Sequence, residues 1–153
     1  MSLKDKILDQ IKVAMKARDQ LRLDTLRMVK SKIQEKEVDL RGKKGRDHVL
    51  EDDEILQVLT TAAKQRRDSM ESFRAGGREE LAAKEEQELE IIQEFLPRQL
   101  SDEDLRRLVQ EAVQETGANS PKDIGMVMKA VMPKVQGQAD GKRINAVVRA
   151  LLS

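Results

Sequence analysis

One histidine and a run of glutamates are the residues of this chain best suited to acid–base chemistry or metal binding. His48 is the single histidine and lies in a polar segment, so we expect an exposed loop residue. A general base needs a positioned partner in a sheltered site, and that segment predicts neither. The five glutamates from Glu85 to Glu94 are interpreted as a solvated or ion-paired helix face, because helical di-metal sites need Glu-x-x-His pairs. We expect no catalytic residue and no metal.

Other catalytic classes are excluded by residue types and motifs that the chain lacks. It has no cysteine, so disulfides, thiolate nucleophiles and cysteine-bound zinc are impossible. No serine lies in a Gly-x-Ser-x-Gly turn, and no glycine-rich loop ends in a Lys-Ser or Lys-Thr pair that could cradle a phosphate. We therefore expect no cofactor and no use of ATP.

The cations are concentrated at the two ends of the chain. Residues 1–46 carry 14 Lys and Arg against 7 Asp and Glu, a net charge of +7. Residues 47–116 carry 9 against 19, a net charge of −10, and residues 117–153 carry 6 against 2, a net charge of +4. Two interpretations fit this pattern: the segments neutralise one another in the fold, or a basic surface meets a polyanion.

If a polyanion is bound, its phosphates are the expected point of contact. Phe73 and Phe95 are the only aromatic residues, so platforms for stacking bases are missing and contact must follow charge and shape. Asp140 to Arg143 begins a helix beside two cations, which favours either phosphate binding or a plain N-cap by Asp140. The candidate nucleic-acid-binding residues are Arg41, Lys43, Lys44 and Arg46 in a mobile loop after the second helix, and Lys122, Lys129, Lys142, Arg143 and Arg149 in the C-terminal part.

The elements that must position these cations are all predicted to be helices. Charged residues make up 37% of the chain and aromatic residues 1%, and strong helix formers dominate. Apolar residues recur at helical spacing in four longer helices of an N-terminal domain, residues 1–96. The first follows a Ser2 cap, the second runs from about Leu21 to Arg41 before a Gly42–Arg46 break, and the others end near Gly76 and Phe95.

Pro97 marks the predicted domain boundary, because a proline ends the preceding helix. Residues 101–153 then predict a three-helix bundle with helices at about 102–116, 121–136 and 141–152. We expect the methionines at 126, 128 and 132 to fill its core, and Gly125 to allow a close helix crossing. No apolar run approaches the roughly 20 residues that span a bilayer, so we expect no membrane partner and a cytoplasmic location.

Several of these segments together resemble the YqeY family. They are Phe95–Ser101 (FLPRQLS), Asp123–Val135 (DIGMVMKAVMPKV), Gly137–Lys142 (GQADGK), Thr25–Lys30 (TLRMVK) and Lys64–Ser69 (KQRRDS). The C-terminal part is also similar to the tail domain of the B subunit of glutamine-dependent tRNA amidotransferase, a carbon–nitrogen ligase. That tail domain contacts tRNA and does not perform the chemistry.

The resemblance implies a non-catalytic accessory protein that acts on tRNA or on a tRNA-modifying assembly. Two other classes compete with this hypothesis. One is a protein-interaction or scaffold module whose basic segments are incidental. The other is a true amidotransferase component that takes every catalytic group from its partners.

Overall fold

The computed structural model describes all 153 residues and contains seven α-helices and no β-strand. The predicted all-α class, with four longer helices followed by a smaller three-helix bundle, is confirmed. The helices are α1 (Leu3–Ala17), α2 (Gln20–Lys44), α3 (Asp52–Ala75), α4 (Glu79–Gln93), α5 (Asp102–Thr116), α6 (Ile124–Val131) and α7 (Gly141–Leu152). Short 3₁₀ turns, Pro121–Asp123 and Met132–Lys134, flank α6. No helix is both long and apolar enough to cross a bilayer.

The chain forms two compact units, an N-terminal unit (Met1–Leu96) and a C-terminal unit (Pro97–Ser153). Each has its own aliphatic core. In the N-terminal unit, the side chains of α1 to α4 meet around Leu26, Ile55 and Ile92, which are fully buried. In the C-terminal unit, α5, α6 and α7 meet around Leu105 and Val148. Every core residue is aliphatic because the chain has almost no aromatic side chain to bury.

Local capping determines where the helices begin. The Ser2 hydroxyl accepts a hydrogen bond from the Asp5 N–H at 3.1 Å, and the Ser101 hydroxyl does the same for Asp104 at 3.1 Å. Asp140 Oδ1 accepts from the Arg143 N–H at 2.9 Å at the start of α7. These bonds satisfy N–H groups that have no partner within the helix.

The second helix is longer than predicted. α2 continues through Gly42 to Lys44. Gly45 caps the helix, with its N–H donating to the Arg41 carbonyl at 3.1 Å and a φ of 107°. The predicted break at Gly42 is wrong, because one glycine costs a helix only about 1 kcal/mol. Cations in the last turn also interact favourably with the negative end of the helix dipole. Arg41, Lys43 and Lys44 are therefore helical.

The middle helix of the C-terminal unit is shorter than predicted, and more of its surface is exposed to solvent than predicted. α6 ends at Val131 because Pro133 has no N–H to continue the α-helical hydrogen bonds. Gly125 is exposed, and a Cβ placed there would meet no atom within 4 Å, so the expected close helix crossing is wrong. Met126 and Met132 are 44% and 46% exposed and do not fill the core, whereas Met128 packs against it.

We predict that brief trypsin treatment of the native chain cleaves after Arg46 and Arg98 before it cleaves after Arg41. Arg46 and Arg98 lie outside the helices, while the bond after Arg41 lies within α2 and requires local unfolding to reach a protease. Mass spectrometry of early fragments measures the order of cleavage. Earlier cutting after Arg41 would show that the end of α2 is frayed.

Candidate nucleic-acid interface

Two of the predicted cations of the C-terminal unit share one exposed surface. Lys122 lies in the 3₁₀ turn before α6 and Lys129 lies on α6, and neither has an acidic partner within ion-pair distance. Gly125 and Met126 lie between them on the same side of the helix. We call Lys122, Gly125, Met126 and Lys129 the α6 face. The neighbouring Asp123 carboxylate accepts the Asn119 N–H through Oδ2 at 3.1 Å and forms no ion pair with either lysine.

The start of α7 is hydrogen-bonded to the segment at the start of α5, within the C-terminal unit. Asp140 caps the helix, as one of the two interpretations of this segment expects. Arg143 Nη2 donates to the Leu100 carbonyl at 2.8 Å and to Asp102 Oδ1 at 2.9 Å. The Arg143 side chain is therefore turned toward its own fold, whereas Lys142 is exposed beside it. Arg149 is exposed in the last turn of α7 and has no acidic partner.

The N-terminal candidates lie around the end of α2. Arg41 and Lys43 are exposed on its last turn, and Arg46 is exposed just beyond it. No carboxylate lies within ion-pair distance of these three. Lys44 is different, because its Nζ lies 3.5 Å from Glu54 Oε2. The structure thus separates the exposed cations without an acidic partner from two cations that bond within their own units, Lys44 and Arg143. The exposed cations without an acidic partner are Arg41, Lys43, Arg46, Lys122, Lys129 and Arg149.

Sequence reasoning missed a cluster around Glu54. His48 Nε2 lies 3.1 Å from both Glu54 carboxylate oxygens, and Glu54 Oε1 accepts the Glu51 N–H at 3.2 Å. The expectation of an exposed His48 is wrong, since only 18% of its side chain is exposed. The Glu51 hydrogen bond lowers the pKa of Glu54, His48 and Lys44 lower it further, and burial opposes them. The spacing of three between Glu51 and Glu54 was the available signal, because it matches a capping box.

The acidic run on α4 is ion-paired to α3. Arg66 Nε lies 3.5 Å from Glu88 Oε2 and 4.0 Å from Glu85 Oε2, with all three side chains largely buried. Arg74 Nη2 similarly lies 3.4 Å from Glu86 Oε2. The interpretation of these glutamates as an ion-paired helix face therefore holds for Glu85, Glu86 and Glu88. No group of three or more histidine, aspartate or glutamate side chains is arranged to hold a metal ion.

The fold and these surfaces define an all-α protein of two helical units, each with exposed cations that have no acidic partner. The chain belongs to the family described as Yqey-like proteins, whose family model matches residues 4–152. The expected family is thereby confirmed.

Curated relatives match over a shorter stretch. Proteins named "Altered inheritance of mitochondria protein 41, mitochondrial" are 41% identical in Lachancea thermotolerans, 37% in Vanderwaltozyma polyspora and 34% in Saccharomyces cerevisiae S288c, each over 86 residues. The match covers 56% of this chain and 43–44% of those proteins. The chain therefore matches less than half the length of these relatives.

The expected cytoplasmic location is contradicted by this comparison, because the relatives are named as mitochondrial proteins. The expectation rested on the lack of a long apolar segment. Mitochondrial transit segments are amphipathic and arginine-rich rather than uniformly apolar, so hydropathy does not reveal them.

We predict that Arg143→Gln lowers the free energy of unfolding by about 1–2 kcal/mol, because it removes a charged hydrogen bond to a partly buried carbonyl. Chemical denaturation of the full chain measures the change. Arg149→Gln is the matched control on the same helix and should stay within about 0.5 kcal/mol of the parent. Equal stability of the two variants would contradict a structural role for Arg143.

We predict that Glu54→Gln destabilises the protein near neutral pH and that this difference shrinks in acid. A carboxylate whose folded pKa is lowered stabilises the fold above its unfolded pKa, and this contribution is lost as pH falls through the folded pKa. The difference should therefore narrow below the ordinary glutamate value of 4.5. Urea unfolding at several pH values tests this, with Glu90→Gln on the exposed side of α4 as control. A difference that is independent of pH would exclude the electrostatic explanation.

Proposed function

We propose that this chain is a non-catalytic accessory protein that associates with tRNA. The observation that carries the proposal is the α6 face, where Lys122 and Lys129 are exposed without an acidic partner. Ammonium groups in that state attract phosphates, and neutralising a phosphate releases the counterions that surround it. The two lysines are seven positions apart, so a distance of roughly 11 Å along the axis separates them. Both can contact one RNA backbone.

The middle of the α6 face favours close approach by the RNA. Because Gly125 has no side chain and the space in front of it is open, a sugar or a phosphate can reach the helix backbone. Met126 beside it offers a flexible apolar side chain that adapts to an irregular surface. Phe73 and Phe95 are half-buried in the N-terminal unit, so neither provides an open platform for a base. Recognition through charge and shape suits structured RNA.

The resemblance to the amidotransferase tail domain supports the choice of tRNA among structured RNAs. In this proposal the chain holds tRNA for an assembly such as a glutamine-dependent amidotransferase, and the catalytic groups lie on other proteins. An amidation assay with and without the chain tests that link separately from binding. The competing scaffold function predicts no RNA binding at any salt concentration.

We predict that Lys122→Gln/Lys129→Gln weakens tRNA binding and flattens its salt dependence. Loss of two phosphate contacts should reduce the slope of log K against log salt by about 1.4–1.8, because each contact contributes about 0.7 on a single strand and about 0.9 on a duplex. Titration of labelled tRNA at several salt concentrations measures both quantities.

A matched control removes two cations that already have acidic partners. Lys64 Nζ lies 3.0 Å from Asp68 and Lys134 Nζ lies 3.0 Å from Glu115, so Lys64→Gln/Lys134→Gln makes the same change in net charge. In this control, the slope of log K against log salt should change by less than half as much as in Lys122→Gln/Lys129→Gln. If both double variants behave alike, net charge and not the α6 face governs binding. If the parent binds no tRNA at low salt, the proposed function is wrong.

A further inference from the structure

The N-terminal unit carries an apolar groove between α1 and α2 that the proposed tRNA contact does not use. Its volume is about 180 Å³, enough for one or two aliphatic side chains. The walls are mainly apolar. The lining residues are Lys4, Ile7, Leu8, Lys30, Ile33, Gln34 and Glu37.

The charge at this groove is positive. Glu37 is the only carboxylate in the lining, and Lys4 Nζ lies 2.7 Å from its Oε1. The two opposite charges cancel, so this ion pair contributes no net charge to the groove. Lys30 has no acidic partner and is exposed at the edge of the groove.

A cationic row continues from the groove along α2. Arg27, Lys30, Gln34, Val38 and Arg41 are spaced three or four residues apart, which places them on one side of the helix. We call these five residues the basic stripe. All are exposed, Val38 by 60%, and none of its three cations has an acidic partner. The stripe extends over about 21 Å, the length of four helical turns.

We propose that the groove and the basic stripe together bind an acidic amphipathic helix of a partner protein. An apolar residue of that helix would enter the groove beside Leu8 and Ile33, and carboxylates on the next turns would pair with Arg27, Lys30 and Arg41. Helices bind grooves through such anchors at intervals of three and four residues. The phosphates of RNA could pair with the cations, but RNA has no aliphatic side chain that would fill the apolar groove.

A second copy of this chain does not fit the surface. Its acidic helix α4 buries Ala82, Leu89 and Ile92 in its own core. α5, acidic in its first turn, likewise buries Leu105 and Val109. Neither helix retains a free apolar side to place in the groove. This inference does not depend on the proposed tRNA contact, because that contact rests on the α6 face of the other unit.

The test uses full-length, ¹⁵N-labelled protein and two synthetic 16-residue helical peptides of glutamate, leucine and alanine. One peptide has its leucines on a single side of the helix, and the other has the same composition with leucines spread around it. We expect saturable chemical-shift changes at Leu8, Lys30 and Gln34 with the first peptide. It should bind about tenfold more tightly than the second, since only the first combines an anchor with paired charges.

Charge reversal on the stripe provides the second arm of the test. Arg27→Glu/Lys30→Glu should weaken binding of the first peptide by about tenfold or more. Lys43→Glu/Arg46→Glu is the matched control, because both cations are exposed, lack acidic partners and lie off the stripe. It should change affinity by less than about threefold. Thermal melting confirms that both variants remain folded.

Several outcomes would overturn the inference. Equal binding of the two peptides, or equal weakening by the two charge reversals, would indicate nonspecific attraction. Shifts at the same residues caused by dilution of the protein alone would identify a second copy as the occupant. Shifts there with tRNA but not with the first peptide would assign the surface to nucleic acid.

Discussion

Burial of one narrow aliphatic stripe per helix is the constraint on which the rest of this structure depends. With almost no aromatic residues, the core has no large side chain that could fix a helix from a single position. Each helix must instead turn its whole aliphatic row inward, as α2 does with Leu26, Val29 and Ile33. Once that rotation is set, residues that flank the buried row or lie opposite it face water. The outward direction of Arg27 and Lys30 is therefore a consequence of core packing.

The exposed surfaces then differ in how many acidic residues lie close to their cations. Helices α3 and α4 carry many acidic and many basic residues. Several of these charges pair with one another, as Arg66 and Arg74 do with glutamates of α4. The first two helices and α6 have fewer acids within reach. Arg22 pairs with Glu94, yet other cations of α2 are left without partners. Neutralisation between segments of the chain is thus incomplete, because some cations are paired within the fold and others are exposed without an acidic partner.

The features that could be predicted from the sequence depend on neighbours within a few residues. Caps by Ser2, Ser101 and Asp140 and the helical spacing of apolar residues are such features. Helix ends were less predictable where two local effects compete, as at Gly42, whose cost is offset by cations near the helix end. Roles set by distant partners were missed. The sequence did not reveal that Arg143 donates a hydrogen bond to the Leu100 carbonyl, 43 positions away. His48 was misjudged for a different reason, since its partner Glu54 lies only six positions away in the first turn of α3.

The two candidate surfaces differ in a way that bears on their selectivity. The α6 face offers cations, an open backbone and an adaptable methionine. In the proposed function it therefore selects RNA mainly by phosphate geometry, and its affinity for RNA falls as the salt concentration rises. The basic stripe adds a groove with apolar walls, which requires a side chain of suitable size at a defined distance from the charges. Charge attracts many polyanions, whereas that combined requirement excludes those without an apolar anchor. Because each unit has its own core, a substitution that alters one surface need not disturb the packing beneath the other.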